Sequence, residues 1–262
     1  ALQEQMGRFL LCAPFFSTVC CGINALLVAG TEAQKAEYLP QINDGMTATL
    51  AFAGNAAAQN GGQWHADAVD AIYEQQGDTF VLNGTLRYVV DGASSELLII
   101  AARQKNSTGE NGISLFVVPA VVAGIERKPT PTMDQTRRQA EIVLRDLRVP
   151  RSALMGNEGN AWPQLQQIID LAAVALAAEQ LGGAQGVLDV AVNSSKERVQ
   201  FGRSIASFQA IKHKAADMMT RVEVARSGVY YAACIAQEAL DALQGQPAPL
   251  AAELAEAASI AK

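Results

Sequence analysis

The sequence predicts an α+β fold in which helical regions flank a separate block of β-strands. Apolar residues follow a helical period up to about residue 48, a strand-like pattern from about 49 to 150, and a helical period again afterwards. Because the strands and helices do not alternate, the pattern favours segregated parts over βαβ units. We predict the end of an N-terminal α-helical domain at 1–48, a β-barrel-like middle domain at 49–156 and a partial C-terminal α-helical domain at 157–262.

The first helical region has clear start and stop residues. Thr31 is a capping residue at the head of the segment Thr31-Glu-Ala-Gln-Lys35, and Gly45 closes the region. The middle region contains short apolar runs separated by turn residues. The predicted strands are Phe80–Leu82, Leu86–Val90, Leu97–Ala102, Ile113–Val118 and Ile142–Leu144. Asn83-Gly84 predicts a two-residue hairpin between the first two, since a type I′ turn needs positive φ at both positions.

The last region predicts long helices. A helix from about Trp162 to Arg198 is apolar on most sides, which predicts a buried member of a bundle. A second helix from Ser207 carries an apolar stripe spaced by threes and fours, which fits either an intrachain core or a subunit contact. The stripe consists of Phe208, Ile211, Ala215, Met218, Val222, Ala225 and Val229. No uninterrupted apolar run reaches the roughly 18 to 20 residues of a membrane span.

Composition narrows the function classes. The chain has 262 residues, 50% hydrophobic and 18% charged, which is typical of a globular protein. Its formal charge of −6 argues against an overall electrostatic affinity for nucleic acid or an anionic membrane. Four cysteines without a CxxC pair and two distant histidines predict no metal site. Pro14 interrupts the first apolar run and no cleavable signal is evident, so we expect a cytoplasmic protein.

A basic cluster interrupts this acidic chain between Lys196 and Lys214. The segment holds one acid, Glu197, against five basic residues, which are Lys196, Arg198, Arg203, Lys212 and Lys214. A local charge of +4 suits a diphosphate ligand. The same cluster also fits a solvated helix end, and the residues alone leave both interpretations open.

Several stretches, in the same order along the chain, resemble the acyl-CoA dehydrogenase family. Asn83-Gly-Thr-Leu-Arg-Tyr-Val-Val-Asp-Gly92 is similar to the family's "NGxKxWITNG" pattern. Lys196-Glu-Arg-Val-Gln-Phe-Gly-Arg203, followed by Phe208-Gln-Ala-Ile211, is similar to "ERxQFGxPIxxFQxIxHxLADM". The helix around Gly30–Pro40 and the segment Arg145–Pro150 also resemble family members. The resemblance covers nearly the whole chain and implies a fold that is incomplete at both ends.

The resemblance implies FAD as the cofactor, with an oligomer completing each FAD site. Arg198 would meet the FAD diphosphate of a neighbouring subunit, Phe201 would lie near the adenine portion, and Gln209 would add a polar contact. Arg137 and Arg138, in a segment similar to the "LDxTRR" of actinobacterial members, would meet the phosphates of the CoA moiety. Arginine pairs are also common on plain surfaces, and that interpretation stays open.

Two flavin-facing stretches depart from the family pattern. The loop that reads like "TEPxAGSD" in typical members is replaced by Phe52–Gly62, which loses the hydroxyl residues and leaves Asn55 as the candidate flavin donor. The "WIT" trio becomes Tyr88-Val89-Val90, so Tyr88 keeps an aromatic wall and Val90 offers no hydroxyl. These residues would equally fill a β-domain core that no longer holds a flavin.

The catalytic base cannot be assigned from this sequence. The family's reaction needs a carboxylate that removes the proton α to the thioester carbonyl. Ala172 and Ala173 stand where a minority of members carry a Glu and an Arg, and Asp170 and Glu179 are the nearest carboxylates. Both have a simpler structural interpretation as helix-face polar groups. The C-terminal segment that usually carries the Glu is not in the sequence, and the catalytic residues are unknown.

Three functions follow from these observations. The first is an FAD-dependent acyl-CoA dehydrogenase, or one subunit of it, with electron-transfer flavoprotein as electron acceptor. The second is a non-catalytic partner subunit of a heteromeric acyl-CoA dehydrogenase, as in bacterial enzymes that act on sterol side-chain CoA esters. The third is an acyl-CoA-binding module without flavin. The lost hydroxyl residues favour the second over a simple truncation.

Overall fold

The computed structural model describes residues 1–55 and 64–262 of the chain. These residues divide into two compact units, one formed by 12–169 and the other by 1–11 together with 170–262. The long helix α4, Trp162–Glu197, runs through the boundary between them. The three-part domain division predicted from sequence does not coincide with these units and stays a prediction.

The first unit begins with helices that lead into a sheet. A π-helix, Phe16–Ile23, continues directly into α2, Asn24–Ala29, and then into α3, Glu32–Asn43. Thr31 caps α3 as the sequence predicts, because its hydroxyl accepts a hydrogen bond from the Gln34 N–H while the Gln34 side chain accepts from the Thr31 N–H. Gly45, with φ +113°, lies in the turn between α3 and the sheet.

The sheet holds eight strands in the order β6-β7-β3-β2-β4-β5-β8, with β1 also pairing with β4. The strands are β1 Ala48–Ala51, β2 Ile72–Gln76, β3 Thr79–Val90, β4 Leu97–Gln104, β5 Ile113–Pro119, β6 Ile125–Thr130, β7 Gln139–Pro150 and β8 Leu154–Met155. Only β4 makes parallel pairs, with β1 and with β2, and the other strand pairs are antiparallel. Short 3₁₀ turns at Ala66–Ala68 and Arg151–Ala153 complete this unit.

The sheet core is built from aliphatic side chains around three aromatic rings. Tyr73, Phe80 and Phe116 are buried and meet edge to face, with ring centroids 5.2–5.7 Å apart. The Tyr73 hydroxyl accepts a hydrogen bond from the Ser114 hydroxyl at 3.0 Å, which satisfies the polar end of a buried ring. The core therefore fixes the strands from which the candidate site residues project.

The predicted hairpin at Asn83-Gly84 is wrong. Strand β3 continues through both residues, and the ladder with β7 shifts its register between Leu82 and Gly84. Asn83 does not have positive φ; its amide instead exchanges two hydrogen bonds with Asp146 of β7, at 2.8 and 3.1 Å. The dipeptide marks a bulge, and the turn between β2 and β3 lies at Gly77-Asp78.

The second unit is helical. It contains α1 Leu2–Arg8, the remainder of α4, a small hairpin of β9 Val199–Gln200 with β10 Arg203–Ser204, a 3₁₀ turn Ile205–Ser207, α5 Gln209–Leu243, a 3₁₀ turn Ala251–Glu253 and α6 Leu254–Ala261. The predicted burial of α4 on most sides holds only in part, since a third of its most apolar 18-residue window is buried. By length and composition α4 could also cross a membrane, a test that core helices of soluble proteins pass as well.

Helix α1 packs closely on α4 because both carry glycines at the contact. A Cβ added to Gly7 would lie 1.8 Å from the carbonyl oxygen of Glu179, and one added to Gly182 would lie 1.8 Å from that of Glu4. The buried Glu4 carboxylate pairs with Arg226 of α5 and accepts a hydrogen bond from the Tyr230 hydroxyl at 3.0 Å. Burial acts to lower the pKa of Arg226, but hydrogen bonds and charge attraction from the Glu4 and Glu223 carboxylates together raise that pKa above its usual value. This buried pair joins α1 to α5.

Candidate functional site

The most distinctive local structure near the basic cluster is the β9–β10 hairpin that follows α4. Gln200 pairs with Arg203 and Val199 with Ser204, which leaves Phe201-Gly202 as a two-residue turn. Both turn residues have positive φ, +55° for Phe201 and +75° for Gly202, as a type I′ turn requires. A phenylalanine rarely adopts this conformation, and residues held in such strain cluster at functional sites.

The hairpin presents the Phe201 ring to solvent. The side chain is 91% exposed and touches the ring of Phe208 edge to face, with centroids 6.1 Å apart. The Arg203 guanidinium lies over the Phe208 ring, 4.2 Å from the ring centroid. The Arg198 N–H donates to the Ser194 carbonyl and the Arg198 carbonyl accepts from Ile205, which fixes the base of the hairpin.

Arg198, Phe201 and Gln209 lie at the base of this hairpin, in its turn and at the start of α5. Arg198 precedes β9, Gln209 is the first residue of α5, and all three side chains are exposed. The other basic residues of the cluster, Lys196, Arg203, Lys212 and Lys214, are exposed as well. The arrangement offers an aromatic face and several cationic groups to an extended anionic ligand, which suits a dinucleotide.

Tyr88 and Val90 lie at the end of β3, in the unit that contains the sheet. The ladder with β7 shifts between Leu86 and Val89, and Tyr88 in this irregularity has φ +58° and is 45% exposed. The Val90 carbonyl accepts a hydrogen bond from the buried Thr49 hydroxyl at 2.6 Å. Tyr88 therefore offers a ring to the surface, while the polar atom of Val90 is engaged within the sheet.

Asn55 follows strand β1 and is exposed. Its side-chain oxygen accepts a hydrogen bond of 2.6 Å from Nε of Arg87, the residue before Tyr88. The rest of the predicted flavin-facing loop, residues 56–63, lies outside the described residues. Sequence reasoning missed Arg87, and the only available signal was a charged residue inside an otherwise uncharged strand.

Arg137 and Arg138 precede β7. The Arg137 guanidinium lies 4.6 Å from the centroid of the Phe16 ring and is half-buried, whereas Arg138 is exposed. The Arg138 carbonyl accepts the N–H of Asp91, whose carboxylate accepts from the buried Ser17 hydroxyl at 2.6 Å. Of the two arginines, Arg138 is the more accessible to a phosphate group.

The candidate base residues lie on α4. Glu179 accepts a hydrogen bond of 2.9 Å from the Gln3 side chain of α1, beside the close contact at Gly7. Asp170 is half-buried. Glu179 therefore has a structural role in the packing of α1. Within 1–55 and 64–262, no group of three metal-ligating side chains was found.

The hairpin is the part of the structure whose residues can be compared most directly with the groups that FAD would need. An exposed ring held in a strained turn, in a segment whose Lys and Arg side chains are exposed, provides an aromatic face and cationic donors of the kind that the adenine and diphosphate portions need. In the sheet unit, Tyr88 and Asn55 offer an aromatic ring and an amide within the two stretches that correspond to the flavin-facing stretches of the family pattern. The hairpin residues suit the diphosphate and adenine portions of FAD, whereas Tyr88 and Asn55 suit a flavin ring less fully.

The order of helices, a mostly antiparallel sheet and further helices, with a cationic hairpin after the long helix, defines a class of flavin-dependent dehydrogenases. The family model described as "Acyl-CoA dehydrogenase, C-terminal domain" matches residues 159–261. The chain belongs to the acyl-CoA dehydrogenase family, whose members are FAD-dependent flavoproteins.

Three known proteins illustrate the similarity. A short-chain specific acyl-CoA dehydrogenase of Megasphaera elsdenii is 32% identical over 85% of this chain and 58% of its own length. A caffeyl-CoA reductase–Etf complex subunit of Acetobacterium woodii is 32% identical over 80% of this chain and 55% of its own length. The solved structure of butyryl-CoA dehydrogenase from Megasphaera elsdenii superposes with a TM-score of 0.82 at 29% identity, covering 98% of this chain and 66% of that chain. The chain thus spans less than two thirds of each of these three matches.

Proposed function

We propose that the chain takes part in flavin-dependent α,β-dehydrogenation of an acyl-CoA thioester, as an acyl-CoA dehydrogenase or as one subunit of it. The observation that carries the proposal is the strained hairpin that exposes Phe201 beside Arg198. It lies in the segment where the resemblance of the sequence to the family pattern is most specific. The turn needs positive φ at this position, but a phenylalanine is an unfavourable residue for it, so a ligand contact is the simplest reason for an exposed aromatic side chain here.

Two sets of residues in this chain would contact FAD: the hairpin residues would contact the FAD of a neighbouring subunit, and the residues at the end of β3 would contact the flavin ring in this chain's own site. The Arg198 guanidinium would donate charge-assisted hydrogen bonds to the diphosphate, and Phe201 and Gln209 would contact the adenine portion. Tyr88 would form a wall beside the flavin ring, with Val90 packing below it. Bound FAD would supply the hydride acceptor, while a carboxylate would remove the proton α to the thioester carbonyl.

For the substrate, Arg138 is the candidate partner of the CoA phosphates, with Arg137 as a weaker second. We infer this from the exposure of Arg138 and the contact of Arg137 with Phe16. Titration of the protein with CoA tests the assignment. Arg138→Met should weaken CoA binding by about tenfold, as expected for the loss of one charged hydrogen bond. Unchanged affinity in Arg138→Met would remove this residue from the substrate site.

A second candidate function is that of a non-catalytic partner subunit in a heteromeric acyl-CoA dehydrogenase. The observation in its favour is that the flavin-facing stretches lack the Thr and Ser hydroxyl groups of the family pattern, and that the Val90 carbonyl is engaged by Thr49. In this form Arg198 and Phe201 of this chain would contact an FAD molecule that is bound mainly by a partner subunit with a complete flavin site. The partner would also supply the catalytic carboxylate, whereas in the first function a segment beyond the matched region would supply it.

The same proposal implies an electron acceptor, an oligomeric state and a cellular location. Reduced flavin must pass its electrons on, and one relative is named as a subunit of a complex with Etf, which supports electron-transfer flavoprotein as the acceptor. We propose a homo- or hetero-oligomer in the cytoplasm. Sterol side-chain CoA esters stay a predicted substrate class, which a panel of short-chain and steroid CoA esters would test by initial rate.

Purifying the protein alone and together with a partner dehydrogenase distinguishes the two candidate functions. Protein that carries a flavin absorption band, bleached anaerobically by an acyl-CoA, supports the first function. Colourless protein that raises the activity or flavin content of a partner supports the second. Failure to bind flavin in either form would contradict both and leave an acyl-CoA-binding module without flavin.

A further inference from the structure

Arg87 connects three segments at the end of strand β3. Its Nε–H donates to the Asn55 side-chain oxygen at 2.6 Å, and one Nη lies 2.8 Å from a carboxylate oxygen of Glu141 on β7. Its backbone N–H donates to the Ala53 carbonyl at 2.7 Å. Arg87 therefore ties the residues that follow β1 to the last part of β3 and to β7.

The contact with Arg87 decides which way the Asn55 amide faces. A guanidinium group only donates hydrogen bonds, so the atom of Asn55 that meets it has to be the oxygen. The Asn55 NH₂ group then points away from Arg87. Glu141, whose side chain is 25% exposed, holds the guanidinium from the other side and limits its motion.

The local backbone brings Arg87 and Tyr88 to this place. The register of β3 against β7 shifts between Leu86 and Val89, and Tyr88 adopts φ +58°. Such irregularities redirect side chains and are common next to active sites. Here the irregularity places Arg87 against Asn55 and leaves Tyr88, the neighbouring candidate for the flavin wall, 45% exposed.

We propose that Arg87 is a positioning residue, which presents the Asn55 NH₂ group as a hydrogen-bond donor to the flavin ring. This donor takes the place of the hydroxyl groups that the family pattern has in its two flavin-facing stretches and that this chain has lost. The assignment deepens the proposed function and rests on it for the identity of the ligand. The orientation of the amide, in contrast, can be tested without any flavin.

The orientation test observes the side-chain amide of Asn55 by ¹H–¹⁵N NMR, with the resonance assigned by its loss in Asn55→Ala. Arg87→Met should shift this resonance, since the amide oxygen loses its hydrogen-bond donor. Arg148→Met is the matched control, because Arg148 is an exposed arginine of β7 that donates to the Gln76 side chain at 3.1 Å. An Asn55 resonance that is unchanged in Arg87→Met would overturn the positioning role.

The ligand test titrates the protein, alone or with its partner subunit, with FAD. Asn55→Ala and Arg87→Met should each weaken FAD binding by about three- to tenfold, the effect of one hydrogen bond, and the double variant should be no weaker than either. Both single variants should also shift the flavin carbonyl stretching frequencies in the same direction. Arg87→Lys should restore part of the affinity, since an ammonium group can reach one of the two partners.

The outcomes separate the two proposals. Wild-type protein that binds no FAD in any combination contradicts the proposed function and removes flavin as the ligand, while the NMR result still decides the positioning role. Wild-type protein that binds FAD with equal affinity in Arg87→Met, or additive losses in the double variant, overturns the inference about Arg87 and leaves the proposed function standing.

Discussion

Phe201 is the residue in which backbone strain and exposure coincide. Its φ of +55° costs about 1–2 kcal/mol for a residue with a Cβ, and its contact with Phe208 returns about 0.5–1.5 kcal/mol. We expect Phe201→Gly to leave the free energy of unfolding unchanged or to raise it by up to about 1 kcal/mol, measured by urea denaturation. FAD affinity should fall in the same variant.

Phe201→Asn is a second test of the same residue, because asparagine tolerates positive φ and has no ring. It should match Phe201→Gly in both measurements. A loss of stability above about 1 kcal/mol in both variants would show that the ring supports the fold, and not a ligand.

Cys21 gives a pH dependence with a definite sign. Burial, with a smaller contribution from Cys20, raises the pKa of the Cys21 thiol from 9.0 to about 12. The folded state therefore keeps the thiol protonated while the unfolded chain ionises above pH 9. The stability due to Cys21 is complete below pH 9 and is lost as the pH rises towards 12.

Urea denaturation at increasing pH, compared between wild type and Cys21→Ala, measures this contribution. The wild type should lose more stability than the variant across that window, since the variant has no thiol to ionise. Parallel curves would contradict the account.

Alkylation at neutral pH should modify the exposed Cys12 and Cys234 before the buried Cys20 and Cys21.

Among the elements, α1 and α4 give the sharpest test of packing. A Cβ at Gly182 would lie 1.8 Å from the Glu4 carbonyl oxygen, whereas one at Gly183 would meet its nearest atom, the Gly7 carbonyl oxygen, at 3.7 Å. Gly182→Ala should destabilise the protein by about 2–3 kcal/mol because α1 has to move. Gly183→Ala should be neutral or stabilising by up to about 1 kcal/mol, owing to its helix propensity. Equal melting temperatures for the two variants would contradict the close contact.

The spacing of apolar residues along the sequence predicted the helical and strand regions, because the residues of a buried face repeat at a fixed spacing. Polar strands escaped this reasoning: β2 (Ile-Tyr-Glu-Gln-Gln) and β6 (Ile-Glu-Arg-Lys-Pro-Thr) offer few apolar residues. Asn83-Gly84 was misread, since the bonds of Asn83 to Asp146, 63 residues away, decide its conformation. Tertiary contacts of this kind override local turn preference.

The candidate site also contains some residues that the sequence could predict and others that it could not. Arg198, Phe201 and Gln209 are close in sequence, so a linear pattern could identify them together. Arg87 and Asn55 are 32 residues apart and meet only through the fold. No spacing rule connects an arginine in one strand with an amide after another strand. The family pattern does not carry the pair either, which is why only the structure reveals it.

On the scale of the whole molecule, the helical unit carries exposed apolar side chains on its long helices. Val187 and Val190 of α4, and Met219 and Val224 of α5, are each 59–71% exposed. In the first half of the predicted stripe, Phe208, Ile211 and Ala215 are half-buried and Met218 is exposed, and full burial begins at Val222 of α5. Exposed apolar surface of this kind marks protein contacts, which supports the proposed oligomer.

A pair of charged substitutions tests this surface. Met219→Glu with Val224→Glu should lower the oligomer mass measured by light scattering, since each carboxylate would be buried in the contact. Val121→Glu is the matched control, because Val121 is 90% exposed in the turn after β5. An oligomer that is unaffected by the pair, or equally affected by the control, would place the contact elsewhere.

The proposal that FAD binds through the Arg198–Phe201 hairpin is tested most directly by flavin content. The protein, purified alone and with a partner dehydrogenase, is compared as wild type, as Arg198→Met and as the control Arg148→Met. We predict that wild type and control carry flavin that an acyl-CoA bleaches anaerobically, and that Arg198→Met retains at most about a tenth of it. Equal flavin content in all three proteins, or none in the wild type under either condition, would contradict the account.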